Sequence, residues 1–248
     1  MIKKQLNRRS ERHLTGETLT KEQLETLKLV SNSSASSNNA QGASVIFITD
    51  KSLKDKFYEW NWYQKHIKNS SVFILFLIDF QRTRYAFEKS NMTFDFDDDS
   101  AFDELLKVGL VDATIKAQLL VDASLDMGLG TCYIGGVRSY QEKIIKELNL
   151  PEQVMPVLGL TIGKIERQEK VKPKMDTVFE NNYSLKEMKQ KVDEFDKIML
   201  QYYKDRSSNK KDINWSLNVA NVYSSFFEKG DYFKTQKELM KKKYKNNL

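Results

Sequence analysis

Three arginines crowd one short stretch near the start of the chain: Arg8, Arg9 and Arg12 surround Ser10 and Glu11 in RRSER. Guanidinium groups this close together, with a hydroxyl among them, can hold a phosphate through paired, charge-assisted hydrogen bonds. A second basic pattern stands far along the chain in VKPKM at 171–175, where Pro173 fixes the backbone between Lys172 and Lys174 and lets both ammonium groups face one side. Between the two, TCYIGGV at 131–137 closes an apolar run on Gly135 and Gly136, where a flat ligand can approach bare backbone amides. Each pattern also has a plain reading, as a solvated basic stretch or as a bend at a strand end.

Other reactive groups are few. His13 and His66 are the two histidines, and neither a nucleophile elbow nor an HExxH pattern occurs. The single cysteine, Cys132, permits no intramolecular disulfide and no cysteine-built metal site, and its apolar strand reads as the home of a buried, inert thiol.

The elements that must position these groups follow from periodicity and punctuation. The chain has 248 residues, 40% hydrophobic and 11% aromatic, enough for a full core in one large domain or two small ones, which excludes disorder of the whole. Three Pro and 10 Gly imply long helices in place of a turn-dense sandwich. Thr20 before KEQ, with Leu24, Leu27 and Val30 at helical spacing, predicts a helix over 20–31. The polar run 31–42 then leads into a strand at 43–50. One or two short helices are expected over 51–68, a strand buried on both faces at 70–79, and an acidic, irregular excursion at 88–104. A long, nearly all-round apolar helix follows and stops at Gly128 and Gly130. Strands at 131–137 and 154–164 flank a helix at 139–148, and a helix at 185–204 precedes an aromatic tail with Trp215, Tyr223, Phe226, Phe227 and Phe233. Separated strands and long helices indicate an α+β or α/β sheet with helices on both faces.

Charge and targeting narrow the classes. Forty Lys+Arg against 34 Asp+Glu give a net charge of +6, which suits phosphate-bearing ligands but falls short of a dedicated nucleic-acid binder. The start, MIKKQLNRRSER, is too polar for a signal peptide, and VFILFLI at 72–78 is too short to span a bilayer, so a cytoplasmic protein with no membrane partner is expected.

The motifs RRSERHL at 8–14, the serine run with Gln41, YQKHI at 63–67, YIGG at 133–136, VKPKM at 171–175 and YYKDRSSNKKDINWS at 202–216 share order and spacing with one family. The chain thus resembles the NADPH-dependent flavin reductase and oxygen-insensitive nitroreductase family over nearly its whole length. The resemblance implies an α+β, nitroreductase-like fold in a single domain, a central mixed sheet flanked by helices, with a helical excursion over about 185–248 that wraps the core or a partner. It also implies an intertwined homodimer, with FMN bound at the interface and NADPH as donor. Arg8, Arg9, Ser10, Glu11 and Arg12 would line the phosphate and ribityl end of FMN, with Lys172, Pro173 and Lys174 closing over the phosphate. Ser36 and Gln64 match further flavin contacts. Tyr133, Ile134, Gly135 and Gly136 match the strand end along the ring, with the Gly135 amide at N5. Arg206 and Lys211 match the positions that meet the NADPH 2′-phosphate. Lys174 and Lys211 stand where the family usually has arginine, and Arg8 where many members have histidine. No catalytic side chain is implied, because the flavin carries the chemistry.

The activity so implied is a ping-pong reduction of nitroaromatics, quinones or free flavins. Two other readings remain. One is a flavin-holding protein with little turnover. The other is a basic nucleic-acid module that uses Arg8, Arg9 and Arg12 with Lys241, Lys242, Lys243 and Lys245.

Overall fold

The computed structural model describes residues 2–96, 98–151, 153–206 and 209–227, with the backbone alone at Asp99, Phe226 and Phe227. Phe233 and the four lysines at 241–245 lie outside the described residues. The chain divides into two compact units, Lys170–Thr235 forming the second.

In the first unit a short helix α1 (Ile2–Leu6) precedes the extended arginine segment, and α2 (Lys21–Asn32) follows it. The start of α2 is set by a reciprocal capping box: Thr20 Oγ1 accepts from the Gln23 amide at 3.1 Å, and Gln23 Oε1 accepts from the Thr20 amide at 3.0 Å. Strand β1 (Ala43–Ile48) then leads to α3 (Lys51–Trp60), capped by Asp50, and to the single turn α4 (Lys65–Lys68). Strand β2 (Val72–Asp79) is buried along its whole length, as its unbroken apolar run requires. After it come α5 (Gln81–Lys89), the long helix α6 (Asp99–Asp126), β3 (Gly130–Ile134), α7 (Gln141–Glu147) and β4 (Val154–Gly163).

The four strands run in the order β1-β2-β4-β3, and every pair is antiparallel. The mixed character expected of the sheet therefore has no parallel pair among the described residues. Side chains alternate across β2. Ile74, Phe76 and Ile78 join Leu27, Ala113, Ala117 and Leu120 on one face, while Phe73, Leu75 and Leu77 join Phe57, Ile67 and Ile144 on the other. Helices α2 and α6 thus cover one side of the sheet, and α3, α4 and α7 the other. Pro156 sits in the interior of β4 where the β2 register slips between Phe76 and Leu77, the irregularity that lets a strand hold a residue with no amide hydrogen.

Two expectations are corrected. The acidic stretch 88–104 is irregular only in part: α5 reaches Lys89, and α6 begins within the acidic run, because Asp98 accepts from the Ser100 and Ala101 amides as an N-cap. The strand expected over 131–137 stops at Ile134, and Gly135–Tyr140 coil into a 3₁₀ turn.

The second unit holds α8 (Leu185–Asp205) and α9 (Trp215–Phe227). Phe195, Met199 and Tyr203 form its buried core with Met175, Ile213 and Trp215 against them. Asp196 of α8 accepts from the Ser216 amide at 2.8 Å and thereby holds the first turn of α9. Among the described residues no helix is long and apolar enough to cross a membrane.

The capping box makes a direct prediction. Thr20→Ala should lower unfolding free energy by about 1 kcal/mol, read as a shift in the urea midpoint, while Thr20→Ser should leave the midpoint in place.

Candidate functional site

The arginine segment is placed by backbone pairing. The Glu11 amide donates to the Thr131 carbonyl at 2.9 Å, the Thr15 amide to Lys164 at 3.0 Å, and the Glu166 amide to His13 at 2.9 Å, with Leu14 bridged to Ile165. Residues 11–15 therefore run across the open end of β3 and the exit of β4. The approach is tight at Gly130, where a Cβ would lie 2.8 Å from Ile165 Cγ1 and 2.9 Å from Glu11 Cβ. A side chain here would collide with those of Ile165 and Glu11.

Within the segment the side chains divide their work. Arg9 is spent on its surroundings: it donates to the Glu169 carbonyl at 2.6 Å and pairs with Glu11 at 3.2 Å. Glu11 is buried and also accepts from Gln168 at 3.2 Å. Burial pushes its carboxyl upward, with the Arg9 charge opposing that shift. His13 meets Glu169 at 2.9 Å, and that bond holds the Glu169 carboxyl below its ordinary range.

Arg8, Ser10 and Arg12 face β3. Burial raises the Cys132 thiol above its ordinary value, against the opposing pull of Arg12, Ser10 and Arg8. Tyr133 is pushed up to about 12 by burial, with Arg8 opposing, and its hydroxyl donates to Gln118 Oε1 at 3.1 Å. The thiol and the phenol are therefore both neutral at pH 7, and the guanidiniums supply the charge.

The far end of β3 meets the loop between α3 and α4. A Cβ on Gly136 would collide with Asn61 Oδ1 and come 2.8 Å from Trp62 Cζ3. That loop ends on Gln64, which occupies the N-cap of α4 without using its side chain as a cap. Two residues on, His66 is 6% exposed and its Nε2 has no hydrogen-bond partner. Burial lowers His66 to about 4, and the nearby charges of Arg12 and His13 push in the same direction. Gly135 is exposed at the first position of the 3₁₀ turn, where amide hydrogens have no acceptor within the turn.

Arg8, Ser10 and Arg12 thus lie beside Cys132 and Tyr133 of β3, whereas Gly136 meets the loop that leads to Gln64 at the far end of the strand. Ser36 is elsewhere. It lies on the approach to β1, at the opposite edge of the sheet, where Asp112 of α6 accepts from the Ser37 and Gly42 amides at 3.0 and 3.1 Å. Ser36 Oγ itself accepts from the Gln41 amide at 3.2 Å.

In the second unit, Lys172 and Arg206 each lie 5.9 Å from the Tyr203 ring, and the Lys211 amide donates to the Tyr203 carbonyl at 3.2 Å. Three of the five expected contacts of this unit therefore collect around one tyrosine; Pro173 and Lys174 lie on the same short loop as Lys172. His66, Asn61 and Asp112 carry no sequence signal that separates them from ordinary polar residues. Only burial reveals them.

A family model for the nitroreductase family matches residues 6–164, and one for the nitroreductase family C-terminal domain matches 172–247. With this fold and these matches, the chain belongs to the nitroreductase family. It is 36% identical over 224 residues to a Cr(VI) reductase of Pseudomonas sp. (strain G-1), covering 89% of this chain and 90% of that one. It is 32% identical over 231 residues to an FMN reductase, NAD(P)H, of Bacillus subtilis, covering 92% of each. Among solved structures, the hypothetical oxidoreductase YcnD from Bacillus subtilis superposes with a TM-score of 0.89 at 30% identity, covering 98% of this chain and 96% of that one.

His66 predicts a pH dependence. Below about pH 6.5 the unfolded chain takes up a proton that the folded chain refuses until about pH 4. Folded stability should therefore fall as the pH drops through that window, by on the order of 3 kcal/mol at its lower end. Urea midpoints of His66→Asn should fall less over the same range; an identical slope in both proteins would assign the acid sensitivity to another group.

Proposed function

We propose that this protein is an FMN-dependent oxidoreductase that uses NADPH to reduce planar acceptors such as nitroaromatics, quinones or free flavins. The observation that supports the reading is that β3 has Arg8, Ser10 and Arg12 beside Cys132 and Tyr133 and, at its far end, Gly136 against the loop that leads to Gln64, three sequence-distant segments along one strand. The donor set fits the group. Cations with a hydroxyl suit its phosphate and ribityl chain, an amide without a partner in its turn suits a ring nitrogen, and the side-chain amide of Gln64 is not taken up by capping.

When bound, FMN would take reducing equivalents from NADPH and pass them to the acceptor. The chain's own residues bind and orient. Arg8, Ser10 and Arg12 hold the anionic end, while Arg9 and Glu11 act through position, fixing the segment to Gln168 and Glu169. Tyr133, Ile134, Gly135 and Gly136 flank the ring, with the Gly135 amide offered to N5. The Tyr133 phenol stays protonated through the physiological range, since its titration is pushed up to about 12. Lys172, Pro173 and Lys174 serve as further cofactor contacts, and Arg206 and Lys211 as contacts to NADPH.

The reading includes a homodimer. Ser36 and Arg12 belong to opposite edges of a four-stranded sheet, roughly 14 Å apart at about 4.8 Å per strand. In this reading a second copy of the chain supplies the serine loop to the flavin held at the β3 edge. A groove of about 660 Å³ runs beside the outer edge of β1, lined in part by Lys28, Gln41, Val45, Arg82 and Lys116, and has room for a segment of that copy.

Purified protein should be yellow and should oxidise NADPH with menadione or nitrofurazone. Arg12→Ala should weaken FMN binding tenfold or more in a fluorescence titration, as loss of a charge-assisted contact does. Arg206→Ala and Lys211→Ala should raise KM for NADPH with flavin content unchanged. Colourless protein that takes up no FMN in calorimetry would remove the basis of the proposal.

A further inference from the structure

The loop between α3 and α4 carries two adjacent aromatic residues in a conformation that favours glycine. Trp62 has φ 53° and Tyr63 has φ 56°. Side chains with a Cβ are uncommon in this region and bulky ones rarer still, because Cβ crowds the following carbonyl. Burial does not offset the strain, for Trp62 is 59% exposed and Tyr63 65% exposed. Strain kept at a candidate site on two rings that stay mostly exposed points to a use.

The two rings are propped in place. Trp62 meets Tyr140 nearly edge to face, with centroids 5.4 Å apart at 63°, and Tyr63 meets Tyr58 at 5.3 Å and 81°. On the other side the indole abuts Gly136, so close that a Cβ there would lie 2.8 Å from Cζ3. The indole thus stands beside the bare backbone that the flavin reading places along the ring, and Gln64 follows directly in the chain. Rigid, solvent-facing aromatic surface at this point can take a flat, electron-poor ring by offset stacking.

We propose that Trp62 and Tyr63 form a stacking ledge that binds the planar aromatic electron acceptor, and so set acceptor preference in this protein. The proposal rests on the flavin reading above and deepens it. A ledge of this kind selects for flatness more than for any one substituent, because every aromatic acceptor offers a π-face.

The test uses the flavin-loaded Trp62→Gly/Tyr63→Gly double variant. Glycine suits both backbone angles, so the variant should fold, with a cooperative melt as the check. Its FMN dissociation constant should be unchanged, and NADPH should reduce the bound flavin anaerobically at the wild-type rate. KM for menadione and nitrofurazone should rise about tenfold, in keeping with the loss of aromatic stacking, while KM for ferricyanide, an octahedral anion without a flat face, should hold. Trp62→Phe/Tyr63→Phe should restore most of the loss. Unchanged KM for the flat acceptors, or an equal rise for ferricyanide, would overturn the ledge while leaving the flavin reading intact. Slower reduction by NADPH with unchanged acceptor KM would overturn it too, by assigning the rings to the donor. Wild-type protein that binds no FMN would sink both readings at once.

Discussion

Three backbone hydrogen bonds position the site. Residues 11–15 are an irregular segment, and they reach the sheet only because Glu11, Thr15 and Glu166 amides find carbonyls at Thr131, Lys164 and His13. Polar backbone that is withdrawn from water must be paired, so this docking has one register and not several. It turns a run of arginines into a directed set. Arg9 and Glu11 are drawn into a buried cluster with Gln168, and Arg8, Ser10 and Arg12 are left facing β3. A buried ion pair of this kind contributes modest net stability, because desolvation offsets most of the attraction. Its effect here is on position.

Electrostatics at the strand end follow from the same burial. Glu11 is pushed up, the Cys132 thiol and the Tyr133 phenol are pushed up, and His66 is pushed down to about 4. Each shift disfavours the charged form. With Cys132, Tyr133 and His66 neutral at pH 7, the guanidiniums of Arg8 and Arg12 carry the positive charge beside this strand.

The sheet divides this unit into two edges with different duties. The β3 edge collects the arginines, the glycine turn and the aromatic loop, while the β1 edge carries the serine loop, held by Asp112 and by Arg82, which donates to the Gln41 carbonyl at 2.6 Å. Between them β2 is apolar on both faces and offers no path for a ligand. In the second unit Tyr203 is the corresponding gathering point, buried against Met199 and Phe195 while its ring and carbonyl hold Arg206 and Lys211.

Local rules made much of this visible in advance. The Thr20 capping box, the unbroken apolar run of β2, the near all-round apolar α6 and its glycine stop are short-range patterns, and the structure keeps them within a few residues. The ordered motifs from RRSER to VKPKM were legible for the same reason, since residue type and spacing along the chain carry them. Other features were not. The acidic run around 98 reads as irregular until Asp98 is seen to cap α6, and no local signal marks His66 as buried or places Trp62 and Tyr63 in left-handed backbone. Sequence determined which elements form and which cations are available. Only the tertiary structure decided which of those cations face β3 and which neighbours stay uncharged, because register, burial and the packing of distant side chains onto Gly130 and Gly136 arise between segments far apart in the chain.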